Sequence, residues 1–403
     1  MAHDWIDRPL GDVITLQRGF DLPIQDRKTG NVPIVSSSGI TGTHSHVGVG
    51  APGVVTGRYG TIGQVFYIEK DFWPLNTTLY VKDFKGNDPR FISYLLQTID
   101  YLSCSDKSSV PGVNRNDLHQ IMVAVPGISE QRAIAWILET LDAKIELNQG
   151  MNETLEATAR TIFKSWFVDF DPVRAKAEGD KPHLPKDFAE TFPDSFEQSE
   201  IGAIPQGWEV RTLYDCAHYV NGSAFRTEDF SQERLGLPVI KIGELKVGIT
   251  DDTKFTLRNL KPKYRIQSGD ILFSWSGSPD TSIDVFVWTG VDGWLNQHIF
   301  KVESRLPEEK LFVYFLLCFL KPVFVEIARN KQTTGLGHVT GQDLKRLKTV
   351  FPCAKALTTF NRMVEPLFQK VYRNRRESHT LAILRDALLP KLVAGEIRLK
   401  VFT

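Results

Sequence analysis

Two stretches of the chain place apolar residues at alternating steps of four and three. From Ile134 the steps pass through Leu138, Leu141, Ile145, Asn148, Asn152, Leu155, Ala159, Ile162 and Trp166. Moved on by 226 positions, they pass through Phe360, Val364, Leu367, Val371, Asn374, Ser378, Leu381, Arg385, Leu388 and Leu392. Both are heptad seams with apolar ends and a polar centre, the pattern of helices that pair along their length. A helix from Ser129 to Trp166 would run about 55 Å at 1.5 Å per residue, longer than a globular domain needs. Asn148 and Asn374 fall at matched seam positions. A buried polar residue there lowers stability but fixes register and partner. The match predicts that the two helices pair antiparallel within the chain; the alternative is that each seam packs only on its own domain. Pro366 falls inside the second seam, which predicts a bend or a late helix start.

Outside the seams the pattern shortens. Val54-Val55, Gln64 to Ile68 and Leu79 to Val81 read as strands between glycine-rich turns. Asp88 before Pro89 is a helix start, and Ile92, Leu95, Leu96, Ile99 and Leu102 give that helix an apolar face. Pro307 with Glu308 and Glu309 opens a corresponding helix later in the chain.

That correspondence is general. Trp5, Leu10 and Gly19 recur 203 positions on as Trp208, Leu213 and Gly222, and Leu75-Asn76 recurs as Leu295-Asn296. Phe91 to Leu96 recurs as Phe312 to Leu317, and Asp117-Leu118 and Pro126 recur 226 positions on as Asp343-Leu344 and Pro352. An offset that grows within the domain and then holds steady is what loop insertions produce in a duplicated unit. The predicted organisation is a mixed α/β domain over 1–126, a long helix over 127–168, a connector over 169–206, a second domain over 207–352 and a second helix over 353–397. The connector, rich in Pro, Asp and Glu, reads as extended and solvated.

Composition narrows function chiefly through charge. There are 48 basic and 48 acidic residues, so an indiscriminate phosphate coat is excluded, though a local basic groove is not. The longest apolar run, Leu311 to Leu320, is half of the roughly 20 residues that a membrane span needs and reads as a buried helix. No basic stretch followed by an apolar one opens the chain at Met1, and the four cysteines contain no Cys-x-x-Cys pair. Both features predict a cytoplasmic protein with reduced thiols.

Motifs for chemistry are weak. Gly48 to Gly53 matches Gly-x-Gly-x-x-Gly, but Pro52 and Val54-Val55 predict a turn into a strand, not the phosphate-binding helix start that the fingerprint requires. No phosphate loop occurs, and no Pro-Pro pair, so the base-holding motif of amino-methyltransferases is missing. Glu244-x-Lys246 and Glu308-Glu309-Lys310, with Asp229 or Asp280 upstream, resemble half of a magnesium nuclease site. His44-x-His46 has metal-ligand spacing on a strand without a second pair; no metal is expected. No residue is assigned a catalytic role.

What remains is a set of loops with donors suited to reading DNA. In the first copy these are Ser36, Ser37, Ser38, Thr41, His44, His46, Arg58, Tyr59, Lys107 and Ser108. Their counterparts in the second are Trp275, Ser276, Ser278, Lys331, Gln332, Thr333, Thr334 and His338. Arg and Lys suit guanine, Gln suits adenine, and hydroxyls suit phosphate.

Together these features resemble the specificity (S) subunit of type I restriction–modification enzymes. The resemblance rests on the Trp-x-x-x-x-Leu openings at Trp5 and Trp208 and on the Asp-Leu pairs running to Pro126 and Pro352. It extends through Glu130 to Ile134, Leu141 to Ile145, Phe163 to Phe167 and the closing Leu389 to Ile397. It implies two similar target recognition domains separated by two long antiparallel coiled-coil helices, an internal pseudo-two-fold repeat that reads a bipartite, asymmetric DNA site. It also implies docking of two methyltransferase (M) subunits that hold S-adenosylmethionine, with restriction (R) subunits that use ATP and magnesium, and no cofactor in this chain. The alternatives are a stand-alone magnesium-dependent nuclease and a coiled-coil scaffold with no role on DNA.

Overall fold

The computed structural model describes residues 5–101, 103, 112–181, 183–332 and 336–399. Two units emerge, Met1–Glu146 with His379–Thr403 and Leu147–Ser378. Each joins one α/β domain to the start of one long helix and the end of the other.

In the first unit the two ends of the α/β domain clasp one another. Strand Ile6–Pro9 pairs antiparallel with Met122–Val125. Between them lies an antiparallel sheet in the order Thr15–Arg18, Thr78–Asp83, Gly53–Gly57, Val65–Ile68. A smaller sheet joins Gly39–His44, Val32–Ser36 and Trp73–Pro74, the last pair parallel. Helix Pro89–Gln97 closes the core; its N-cap Asp88 accepts the Phe91 amide at 2.9 Å, as the Asp-Pro start predicts. Phe91, Ile92, Leu95 and Leu96 are buried with Ile134 and Leu138 of the first long helix and Leu392 and Val393 of the second.

Near that core, His119 accepts the Leu16 amide through Nε2 at 2.9 Å. Burial, with the positive charges of Arg115 and Lys85, lowers its pKa from the ordinary value near 6.5. The folded state therefore favours neutral imidazole, and its contribution to stability is present above pH ~6.5 and lost as pH falls through the lowered folded value. The melting temperature of the first unit is expected to fall from pH 7 to pH 5, and His119→Gln should flatten that slope. An unchanged slope would remove His119 from the account.

The second unit repeats the plan. Strand Glu209–Thr212 pairs with Lys348–Phe351 as the clasp. The main sheet runs Ala217–Asn221, Ile299–Ser304, Ile271–Ser274, Asp284–Val287, the order found in the first unit. Leu237–Ile240 pairs in parallel with Gly293–Leu295, matching the parallel pair of the first domain. Helix Lys310–Phe319 contains most of the ten-residue apolar run, and Leu311 to Leu317 are buried. No single helix among the described residues is long and apolar enough to cross a membrane.

The long helices span Ile128–Phe167 and Ala354–Val393, each 40 residues and about 60 Å. Their pairing is antiparallel within both units. In the first, Arg385 donates to Asp142 at 2.8 Å, and Leu388 packs against the core that holds Ile134 and Leu138. In the second, Asn148 Nδ2 donates to Glu377 at 2.9 Å and Ser378 at 3.3 Å, and Asn374 Nδ2 donates to Asn152 at 2.9 Å. Asn148 and Asn374 are fully buried. Leu155, Leu367 and Val371 line one apolar pocket, and Ile162 and Val364 join the aromatic core nearby. Leu141, Ile145 and Leu381 are half-buried.

The structure departs from the sequence reading in two places. Of the bend or late start predicted at Pro366, the late start is absent: the second helix begins at Ala354 and continues through Pro366, which is exposed. Segment 169–206 is not a solvated connector. It forms helices Asp171–Ala177 and Lys186–Ala189 and the hairpin Phe196–Ser199 with Gly202–Pro205. Phe170, Val173, Phe188 and Phe192 are buried in the core of the second unit, and the Phe192 ring meets Trp166 edge-on at 5.0 Å. Burial of four large apolar side chains outweighs the polar composition.

Candidate nucleic-acid interface

In the first domain, the sheet end where Thr15–Arg18, Gly53–Gly57 and Thr78–Asp83 meet gathers several candidate residues. Arg58 donates its amide to Thr77 O at 2.8 Å, and its carbonyl accepts from Val113 N at 3.0 Å. Its guanidinium lies 4.6 Å over the Tyr59 ring. Tyr59 bridges to Gly112, where a Cβ would sit 2.3 Å from the Tyr59 ring, so a larger residue would have to displace that ring. Ser37, half-buried in the turn after Val32–Ser36, lies against Gly57 and Gly60. Asn76 donates to Asp21, which also pairs with Arg18.

The second domain builds the same end with other side chains. Trp275 donates its amide to His298 O at 3.3 Å, and its carbonyl accepts from Val339 N at 2.8 Å. Ser276 pairs with His338 where Tyr59 pairs with Gly112. Gly57 opposes Thr78 as Ser274 opposes Ile299, so Arg58 and Trp275 occupy equivalent positions. Asn221, opposite Phe300 as Arg18 is opposite Leu79, accepts a hydrogen bond from Trp275 Nε1 at 3.1 Å. The Trp275 ring stacks on Phe300 at 5.5 Å and lies 5.8 Å from His298. The first domain thus offers cations, Arg18 and Arg58, where the second offers an amide and an indole.

Other candidate residues divide by burial. Ser36 is buried, donating to Gly39 O at 3.1 Å and accepting from Ser38 N at 3.2 Å, so it shapes the hairpin. His44 is also buried: its Nδ1 accepts the Lys28 amide at 3.1 Å and its ring meets Trp73 edge-on at 5.2 Å. Both are scaffold, not surface donors. Ser38, Thr41, His46, Ser278 and Gln332 are exposed. Lys331 is committed elsewhere, its ammonium 2.5 Å from the buried Asp343. Burial opposes the Asp343 charge, but hydrogen bonds from Lys331 and Thr340 outweigh it and hold the carboxyl below its usual range. Lys107, Ser108, Thr333 and Thr334 lie outside the described residues.

The weaker chemical motifs resolve into structure. Gly53 opens a strand. Glu244 accepts the Lys241 amide at 3.0 Å, and Glu309, buried, accepts that of Leu306 at 3.1 Å. Asp229 accepts from Arg226 N, and Asp280 pairs with Arg329. These carboxylates cap or anchor local structure in separate places. Among the described residues no group of three or more His, Cys, Asp and Glu is placed to hold a metal ion. Burial pushes the Cys216 and Cys318 thiols up to about 12, far from a reactive thiolate. The sequence reading missed Arg18, Asn76 and Asn221; the recurring Leu-Asn pair and Gly19 with Gly222 mark their neighbourhood.

The doubling has a counterpart among known proteins. A family described as "Type I restriction modification DNA specificity domain" matches residues 2–157 and again residues 205–360. The chain belongs to this family. Curated members include the type I restriction enzyme MjaIX specificity subunit of Methanocaldococcus jannaschii, 29% identical over 322 residues, 77% of this chain and 69% of that one. The HindI specificity subunit of Haemophilus influenzae is 25% identical over 392 residues, 83% of this chain and 84% of its own. In fold, the chain matches the crystal structure of a type I restriction–modification S subunit from M. genitalium with a TM-score of 0.63. That match has 16% identity and covers 100% of this chain and 97% of the other. As a type I specificity subunit, the chain carries two copies of the specificity domain, and the alternatives of nuclease and DNA-free scaffold are not supported.

Proposed function

We propose that each recognition domain reads one half of a split DNA site, that the two halves differ in sequence, and that the paired helices fix the gap between them. The chain itself is non-catalytic and cytoplasmic. Two methyltransferase subunits dock on it and bring S-adenosylmethionine; restriction subunits join for cleavage and bring ATP and magnesium. The observation that carries this reading is the equivalence of Arg58 and Trp275: one backbone position, two chemically unlike side chains. A duplicated reader with altered side chains at its tips reads two dissimilar sequences, because hydrogen-bond donors and apolar edges select different base edges. Neutral overall charge accords with a protein whose affinity depends on local cations and on its partners.

Methylation mapping tests this in cells that carry the chain with its methyltransferase partner and no other methylase. One bipartite, asymmetric adenine-methylation motif is expected. Replacing residues 1–126 by another recognition domain should change one half of the motif and leave the other half and the gap intact. Methylation at a continuous motif, or a swap that alters both halves, would overturn the assignment.

A further inference from the structure

Among the polar side chains at the two reader ends, one pair combines equivalence with opposite chemistry. The backbone contacts on either side of Arg58 and Trp275 are the same, so the two side chains leave the same place on the same scaffold. At Arg58 the guanidinium carbon lies 4.6 Å from the centre of the Tyr59 ring, and among the described residues no carboxylate pairs with it. A cation–π contact supplies no lone-pair acceptor, so the guanidinium N–H groups remain for a planar acceptor pair. At Trp275 the indole has a single donor, Nε1–H, and Asn221 has taken it. Its ring is further fixed by Phe300. That side chain has no hydrogen bond left to give and presents only apolar ring edge.

We infer that Arg58 and Trp275 are the paired specificity-determining position of the two domains: Arg58 reads a guanine through O6 and N7 in the half-site of residues 1–126, and Trp275 withdraws that requirement from the other half-site. This rests on the proposed reading of a split site and names the base that one side chain recognises. Arginine is suited to the guanine edge because its fork matches two acceptors in one plane, and a pair of this kind discriminates by roughly 5- to 150-fold against another base.

The test uses the purified complex of the full chain with its methyltransferase partner. Binding is measured to duplexes in which each base pair of the mapped motif is changed in turn. The wild-type complex should lose roughly 5- to 150-fold at one G·C pair of the first half-site. Arg58→Lys, which keeps the charge and replaces the planar fork by a point charge, should weaken the preference at that pair, and Arg58→Met, which keeps length but no donor, should remove it, while the other positions keep theirs. A measurement that needs no variant is to place 7-deazaguanine at that pair, which deletes N7 and should weaken binding by the wild-type chain. The inference is overturned if Arg58→Met keeps every preference, if the relaxed pair is not G·C, or if no guanine in the first half-site responds to loss of N7. A uniform loss across all duplexes in Arg58→Ala, with a shallower salt dependence, would make Arg58 a phosphate contact and also overturn it. Absence of a bipartite motif in the wild-type complex is a different outcome and sinks the proposed function itself.

Discussion

Phe360→Ala is expected to destabilise the second unit by about 3–5 kcal/mol, the usual range for emptying a buried aromatic site. Phe360 is fully buried and meets four aromatic rings: Phe163 at 6.1 Å, Trp166 at 6.1 Å, Phe167 at 5.0 Å and Phe315 at 6.0 Å. Those rings belong to the end of the first long helix and to helix Lys310–Phe319, so one side chain joins both to the start of the second long helix. Edge-to-face pairs add about 0.5–1.5 kcal/mol each beyond burial, and collapse cannot restore four of them at once. For a unit of this size the melting transition should drop by roughly 6–20 °C. Calorimetry measures the drop. A drop of a degree or two would show that the helix end is held by something other than this cluster.

The first unit fills the matching sites differently. Ile134 stands where Phe360 stands in the other unit, and Leu392 where Trp166 does; both are buried. Farther along, Tyr94 donates to Asp142 at 2.7 Å and Arg385 donates to the same carboxylate at 2.8 Å. The equivalents in the second unit are Phe315, Phe368 and Ala159, which line an apolar pocket. A hydrogen-bonded Tyr–Asp–Arg group in one copy corresponds to an apolar group in the other. Duplication preserved the backbone plan while the chemistry at its joints diverged, so cores as well as reading tips differ between copies.

How much of this the sequence disclosed follows from which signals are local. Heptad spacing is local, and it located both long helices and the layer of Asn148, Asn152 and Asn374. Repetition added what period could not: the matched order of Trp, Leu and Gly predicted two domains with one topology, which the matching strand order of the two main sheets displays. Segment 169–206 escaped because Phe170, Phe188 and Phe192 follow no period, and their burial depends on a core built from distant residues. Lys331 looked like a loop cation because its partner Asp343 lies 12 positions away on a helix not anticipated there. Pro366 does not delay the helix start: it sits on an exposed face, and the helix is held by Val364 and Leu367 on its packed side. Readers at loop tips have no period at all. Only their recurrence singled them out, which is why the equivalence of Arg58 with Trp275 needed coordinates.

The recurring glycines carry the second large effect. A Cβ at Gly222 would lie 2.0 Å from the Asn296 carbonyl oxygen and 2.6 Å from that of Leu295; at Gly19 it would lie 2.2 Å from Leu75 O. These obstacles are backbone atoms, which cannot turn aside as a flexible side chain would. Gly222→Ala must therefore push apart the hydrogen bonds from Gly222 N to Ile299 O and from Ser223 N to Leu295 O. The expected cost is at or above the top of the 1–3 kcal/mol range for overpacking. Because the displaced strand end carries His298 and supports Trp275, the half-site read by the second domain should degrade while the other half persists. Gly150→Ala in the first long helix is the control, since nothing lies within 4 Å of its Cβ. There the same added methyl should stabilise by about 0.5–1 kcal/mol, the helical preference of alanine over glycine. Both glycines belong to the second unit, so one calorimetric transition should move down for Gly222→Ala and up for Gly150→Ala. Shifts of the same sign would mean that close backbone approach is not why the repeat holds glycine at this place.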